Sequence, residues 1–142
     1  MREVTQSSEA ELVIKEELFG NDHVLIFSAE ISGNDLAVNY IFFTSFKNAN
    51  LENANFKNAD LKSVNFYLAN LTNADLSGTN LKKSLLNGAD LSNANLQGAD
   101  LSEADITGAD LTGADLSGAT LSDTIYDQST ILKCTGHPIC VN

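Results

Sequence analysis

The sequence contains no tryptophan, a single proline (Pro138), and only two cysteines, Cys134 and Cys140, both within its last nine residues. Basic residues are scarce as well: 8 Lys and Arg stand against 19 Asp and Glu, for a formal charge of −11 and a sequence pI near 4.3. A chain this acidic is expected to stay in solution and not to hold nucleic acid by its phosphates. No run approaches the roughly 18 apolar residues of a membrane span, so no membrane association is expected. The first residues, MREVTQSSEAELVIKEEL, carry no apolar leader core, and a cytoplasmic location is expected. Catalytic signatures are missing too. There is no Gly-rich phosphate loop and no nucleophile elbow, and the two histidines, His23 and His137, lie far apart. The chain is expected to be non-enzymatic and to need no cofactor.

What is present is a period. NGADLSNANLQGADLSEADITGADLTGADLSGAT, residues 87–120, repeats every five residues. On an α-helix, residues five apart sit about 140° apart, so Leu91, Leu96, Leu101, Ile106 and Leu111 would spiral round every face. On one continuous strand, an odd spacing would send successive leucines to opposite sides. Within a unit the pattern does alternate: in Ala99-Asp100-Leu101 a small and a large apolar residue flank a polar one. Three extended residues with Ala and Leu inward, followed by a two-residue bend, satisfy it.

The bend carries its own signal, two positions after the large apolar centre of each unit. In the sixteen units centred from Phe46 to Leu121 that site is Gly at 78, 88, 98, 108, 113 and 118, and Asn at 48, 53, 58, 73 and 93. These residues best tolerate the positive φ that the third position of a type II turn demands. Ser63, Leu68, Lys83, Glu103 and Asp123 break the rule, and a different turn is expected there. A bend of one sense every five residues winds the chain into stacked coils about 4.8 Å apart.

The run A-[D/N]-[L/F]-x-x, held for sixteen units without a frame slip, resembles the pentapeptide repeat family, with its cyanobacterial and plastid members. The resemblance implies an all-β fold, a right-handed quadrilateral β-helix with four pentapeptides to a coil, and inward centres and inward residues two before them. Counting back from Phe46 lands on Ile41, Leu36, Ile31 and Ile26, so residues 26–45 read as a degenerate first coil, although Asn34 and Asn39 are poor inward residues. Residues 46–125 form the regular repeat. Counting forward gives Tyr126 and Ile131 as further centres. About five coils make a tower roughly 24 Å tall.

The two ends of a coil stack expose core and unpaired backbone, and both are expected to be covered. Residues 1–25 form an N-terminal cap segment in which Ser8-Glu9-Ala10-Glu11 fits a capping box and Gly20 a helix stop, predicting a helix over 9–19. The competing reading makes ELVIKEEL and HVLIFSAEI two strands about a turn at Phe19 to Asp22. Residues 126–142 form the C-terminal cap. There Cys134 and Cys140 enclose five residues including Gly136 and Pro138, so a disulfide closes easily; three ligands for a metal (with His137) and free buried thiols are the alternatives. Some plastid and cyanobacterial members of the family close this end with a disulfide, so the resemblance favours the bridge. A bridge would imply an oxidising compartment such as a periplasm or thylakoid lumen.

Function is carried by the irregularities. Asp60, Asp75, Asp90, Asp100, Asp105, Asp110 and Asp115 all sit just before a unit centre, where they should face outward, cap turns and solvate the tower. Longer family members that resemble a DNA duplex inhibit topoisomerases, commonly as elongated dimers. Here the acids wrap all four faces and cluster late, so an acidic DNA mimic is the alternative and not the first reading. Leu85, by contrast, occupies an outward site filled almost everywhere else by Asn or Asp. Tyr67 and Leu68 fall on the same face one coil earlier, and Phe42 and Phe43 at the preceding corner, above Lys62, Lys82 and Lys83. These residues predict an apolar patch bordered by lysines, on a monomeric interaction module for an unidentified protein partner; the competing reading folds the N-terminal segment over Phe42 and Phe43 and leaves only scattered exposed apolar residues.

Overall fold

In the computed structural model, the described residues are 15–19, 22–26 and 45–141. From Ser45 onward the chain bends every five residues and meets itself one coil later. Parallel bridges join Ser45 to Asn65, Asn50 to Asn70, Asn55 to Asp75 and Asp60 to Asn80, and the same twenty-residue step continues to Asp105 and Ile125. Four units therefore complete one coil, and four columns of stacked bridges make a four-sided tower.

Five residues can repeat indefinitely because every backbone N–H of a regular unit finds an acceptor, as the unit centred on Leu91 illustrates. Leu91 N–H donates to Asp110 O of the next coil at 2.8 Å, and Asn93 N–H to Thr112 O at 2.8 Å. Ala94 N–H closes the turn onto Leu91 O at 3.0 Å, and Asn95 N–H reaches back to Ala74 O of the previous coil at 2.9 Å. The remaining donor, Ser92 N–H, is taken by the Asp90 carboxylate at 2.9 Å. The Asn or Asp before each centre is thus a turn cap that completes the hydrogen bonding, beyond any role in solubility.

The interior follows from the alternation. Each centre and the small residue two before it are buried, from Phe46 and Ala49 to Leu116 and Ala119. Burying each leucine contributes about 1.5–3 kcal/mol, which makes this ladder the main stabilising term. At the N-terminal end of the tower three phenylalanines fill the core. Phe46 stacks on Phe66 with centroids 5.2 Å apart, and Phe56 meets both rings edge-on at 5.9 and 6.2 Å.

Three expectations are corrected. Ser63, Leu68, Lys83, Glu103 and Asp123 do not use another turn: their φ values lie between 56° and 60°, matching the asparagine sites. The ladder imposes this, because Leu68 N–H must reach Asn87 O at 3.0 Å and Lys83 N–H Ser102 O at 3.0 Å. For Ser63, Leu68, Lys83 and Glu103 the cost of a left-handed non-glycine residue, roughly 1–2 kcal/mol, is outweighed by the coil stacked on them, to which each N–H donates. At the N-terminus, residues 15–19 are not helical. Strand β1 (Lys15–Phe19) pairs antiparallel with β2 (Asp22–Ile26), Phe19 opposite Asp22. The residues between are Gly20 and Asn21, a dipeptide suited to a two-residue hairpin, and the β-prone HVLI run supplies the partner strand. The capping-box residues 8–11 and nearly all of the expected first coil, 26–45, lie outside the described residues.

The third correction concerns the frame after Ile125. Tyr126 and Ile131 are not inward centres; they are 48% and 41% exposed. A turn at Asp127, closed by Thr130 N–H to Asp127 O at 3.1 Å and Ser129 N–H to the Asp127 carboxylate at 2.9 Å, takes up one extra residue. Ile131 then bridges Asp110 at a step of twenty-one, which turns Thr130 and Leu132 inward. The twenty-residue step returns at Asp115 and Thr135. Cys134 takes the small inward site, 2% exposed, and is bonded to Cys140 with Cα atoms 5.0 Å apart. Leu132, Ile139 and Cys140 lie against the core, and Val141 N–H returns to Leu132 O at 2.8 Å.

One inward site carries a defect. Ser84 is fully buried where most units have Ala, and its hydroxyl has no hydrogen-bond partner. An unsatisfied buried hydroxyl costs about 1–3 kcal/mol. Ser84→Ala is expected to raise stability by about 1 kcal/mol, read as an upward shift of the thermal midpoint by circular dichroism. A lower midpoint would show that the hydroxyl is satisfied in solution.

Candidate functional site

One side of the tower departs from the rule that outward sites are polar. Its bridging column runs Ser45, Asn65, Leu85, Asp105, Ile125. Leu85 is 44% exposed, and Tyr67 and Leu68, in the turn of the coil before, are 40% and 49% exposed. The Leu68 side chain lies across Gly88: a Cβ added there would come within 2.7 Å of Leu68 Cδ2. Lys47 sits over the Tyr67 ring, 5.4 Å from its centroid. Tyr67, Leu68 and Leu85 therefore share one face. Phe42 and Phe43, the remaining apolar members expected here, lie outside the described residues.

Both leucines are local misfits. Leu85 holds a site where Asn or Asp caps the following turn, and Asn87 N–H has no such cap. Asn87 instead turns its side chain to the Asp105 carboxylate. Leu68 holds a left-handed site, φ 56°, where Gly or Asn would be less strained. Two rules of the repeat are broken side by side on the surface.

The lysines are less free than a bordering rim requires. Lys82 and Lys83 both reach Glu103 of the next coil, at 3.2 and 3.3 Å, and hold its carboxyl below the usual range. Lys62 lies at the same corner one coil earlier, its N–H on the Asp60 carboxylate at 3.3 Å.

The same face also carries residues that counting by five hid. Ile125 and Tyr126, two coils beyond Leu85, are 56% and 48% exposed. Ile125 takes the outward site directly above Asp105, but the regular frame made Tyr126 an inward centre. The outward Ile at 125 was the available signal in the sequence.

The acids behave as turn caps. Asp90, Asp100 and Asp115 are held below the ordinary carboxylate value chiefly by the hydroxyls of Ser92, Ser102 and Ser117, and Asp127 likewise by Ser129. Burial pushes the Asp105 carboxyl up, but the hydroxyl and N–H of Thr107 and the Asn87 amide outweigh it and leave it lowered. No acid among these is raised as a proton donor would need. The Cys134 and Cys140 sulfurs are bonded to each other and His137 Nδ1 accepts the Ile139 N–H at 3.2 Å. No helix among the described residues is long and apolar enough to cross a membrane.

The profile of the Pentapeptide repeats family matches residues 44–82 and 84–123, in 8 copies. Among solved structures, a pentapeptide repeat protein from the cyanobacterium Cyanothece 51142, Rfr23, is 34% identical with a TM-score of 0.55, over 67% of this chain and 68% of that one. The pentapeptide repeat protein alr5209 from Nostoc Pcc 7120 is 41% identical with a TM-score of 0.59, over 60% of this chain and 70% of that one. No curated protein sequence matches.

Leu85→Asn should restore the missing cap and raise stability by about 0.5–1 kcal/mol in chemical denaturation. A clear loss would mean that Leu85 serves the fold. Acid should act through the caps. Because the folded values of Asp90, Asp100, Asp115 and Asp127 lie below the reference 3.8, the unfolded chain takes up protons first as pH falls. Their contribution is full above the unfolded value and lost as pH drops through the folded values. The thermal midpoint is expected to fall on titration from about pH 5 to below about pH 3. A flat profile would remove the carboxylates from the stability of the turns.

Proposed function

The chain belongs to the pentapeptide repeat family, whose members form right-handed quadrilateral β-helices and are generally non-catalytic, and we propose that it acts as a rigid, monomeric protein-interaction module. The observation that carries this reading is the pair of misfits, Leu68 and Leu85, exposed beside Tyr67 within the regular coils, whose other outward sites are polar up to Thr120. Residues that cost the fold and face solvent are expected where function requires them. Aromatic and aliphatic side chains on a rigid support lose little conformational freedom on docking. The Cys134–Cys140 bridge supports an oxidising compartment over the cytoplasm. The acidic-mimic alternative draws on the carboxylates, but these occupy all four columns and not one continuous stripe.

The test is a pull-down from the native source with wild type and with a Tyr67→Ser, Leu68→Asn, Leu85→Asn variant whose fold is checked by circular dichroism. A specific partner retained by wild type and lost by the variant is expected. A partner kept by both places the site elsewhere, and a topoisomerase among those kept would favour the mimic reading.

A further inference from the structure

The exposed apolar residues of this face are arranged as a column, and the column constrains what can lie on it. Tyr67 and Leu68, then Leu85, then Ile125 and Tyr126 follow one another up the tower, with Asp105 between Leu85 and Ile125. From Tyr67 to Ile125 the column climbs three coils, about 14 Å at the spacing of stacked strands. Most backbone donors on the face are already used: Phe66, Leu68 and Leu86 N–H groups go to Leu85, Asn87 and Asp105 carbonyls, and Tyr67 N–H to the Asn65 side chain at 2.9 Å, which leaves Asn87 N–H as a single open donor, too few for a ladder. An extended peptide laid here would bury its own N–H and C=O groups without a ladder to join. An α-helix arrives with those groups paired.

We propose that this face is the groove-less docking site of an amphipathic helix that presents an apolar stripe to Tyr67, Leu68, Leu85, Ile125 and Tyr126 and a basic residue to Asp105. The inference rests on the interaction-module reading and adds the partner's chemistry. At about 1.5 Å per helical residue, Leu85 one coil above Tyr67 falls near i+3, Asp105 two coils above near i+7 and Ile125 three coils above near i+10, so the helix is apolar at about i, i+3 and i+10 and basic at about i+7. Charge complementarity sets the rest. The Asp105 carboxylate lies in the middle of the upper half, and the Asp127 carboxylate closes its top, near enough for the two to repel. At the bottom Lys47 stands over Tyr67. The column is thus anionic above and cationic below. A helix running with its N-terminus toward Asp127 and its C-terminus toward Lys47 matches both ends by its own dipole.

A displayed library of unstructured-to-helical peptides about 20 residues long is selected on the full chain. Binders are then counter-screened on a Leu85→Asn, Ile125→Asn variant that retains its circular dichroism spectrum. Selected peptides are expected to share apolar residues at about i, i+3 and i+10 with Lys or Arg at about i+7, to turn helical on binding, and to bind the variant at least about tenfold more weakly. Asp105→Asn should weaken them too, and added salt should reduce that difference. Patch-dependent binders that are Pro-rich or extended would overturn the helix while leaving the interaction module standing. If no selected binder depends on Leu85 and Ile125, the helix and the interaction face fall together.

Discussion

The hydrogen bonds between each unit and the unit twenty residues on fix everything else, because they leave the chain no local freedom. Within a unit the centre and the second turn residue donate upward, and the residue before the next centre donates downward. The turn closes on itself, and only one N–H is left for a side chain. That last donor selects Asn or Asp before each centre, and the upward bond of the turn residue selects Gly or Asn two after it. The composition of the repeat is the composition that completes this set.

Satisfying most of the backbone inside the wall leaves the outer surface one structural duty, the cap on each turn. A residue pointing outward can change its type while the ladder persists, provided the turn tolerates it. Leu85 gives up a cap and Leu68 accepts a left-handed backbone, yet the bridges Asn65–Leu85 and Leu85–Asp105 are intact. The tower therefore acts as a ruler. It holds side chains of choice at fixed heights on flat faces, and the exposed apolar column on one face is its most specific content. The carboxylates, held ionised by neighbouring hydroxyls, add a negative field around that column.

Much of this was legible in the sequence. Period five excluded a simple helix or strand, and the alternation within Ala99-Asp100-Leu101 set which residues go inside. The outward position of Leu85 followed from counting, and its company with Tyr67 and Leu68 from counting together with the four units per coil that the family resemblance implies. What counting could not supply was competition between a residue's preference and its surroundings. Ser63, Lys83 and Glu103 prefer other turns in isolation, and the stacked coils overrule them. Lys82 and Lys83 looked like a free basic rim until Glu103, one coil on, claimed both.

The ends show the division most clearly. A repeat is determined by its sequence because each unit meets the same neighbours, so local pattern and tertiary context agree. Beyond Ile125 that agreement lapses: one extra residue at the Asp127 turn moves Ile131 to the surface and Thr130 and Leu132 into the core. At Lys15–Phe19 the helical signals were local, whereas the strand gains a partner in Asp22–Ile26. By itself the sequence determined the coil, its interior and the outward sites, through a periodicity that every unit repeats. Tertiary structure alone decided the strained turns, the paired lysines and the frame of the last coil, because each depends on a contact some twenty residues distant or on a register that no local preference encodes.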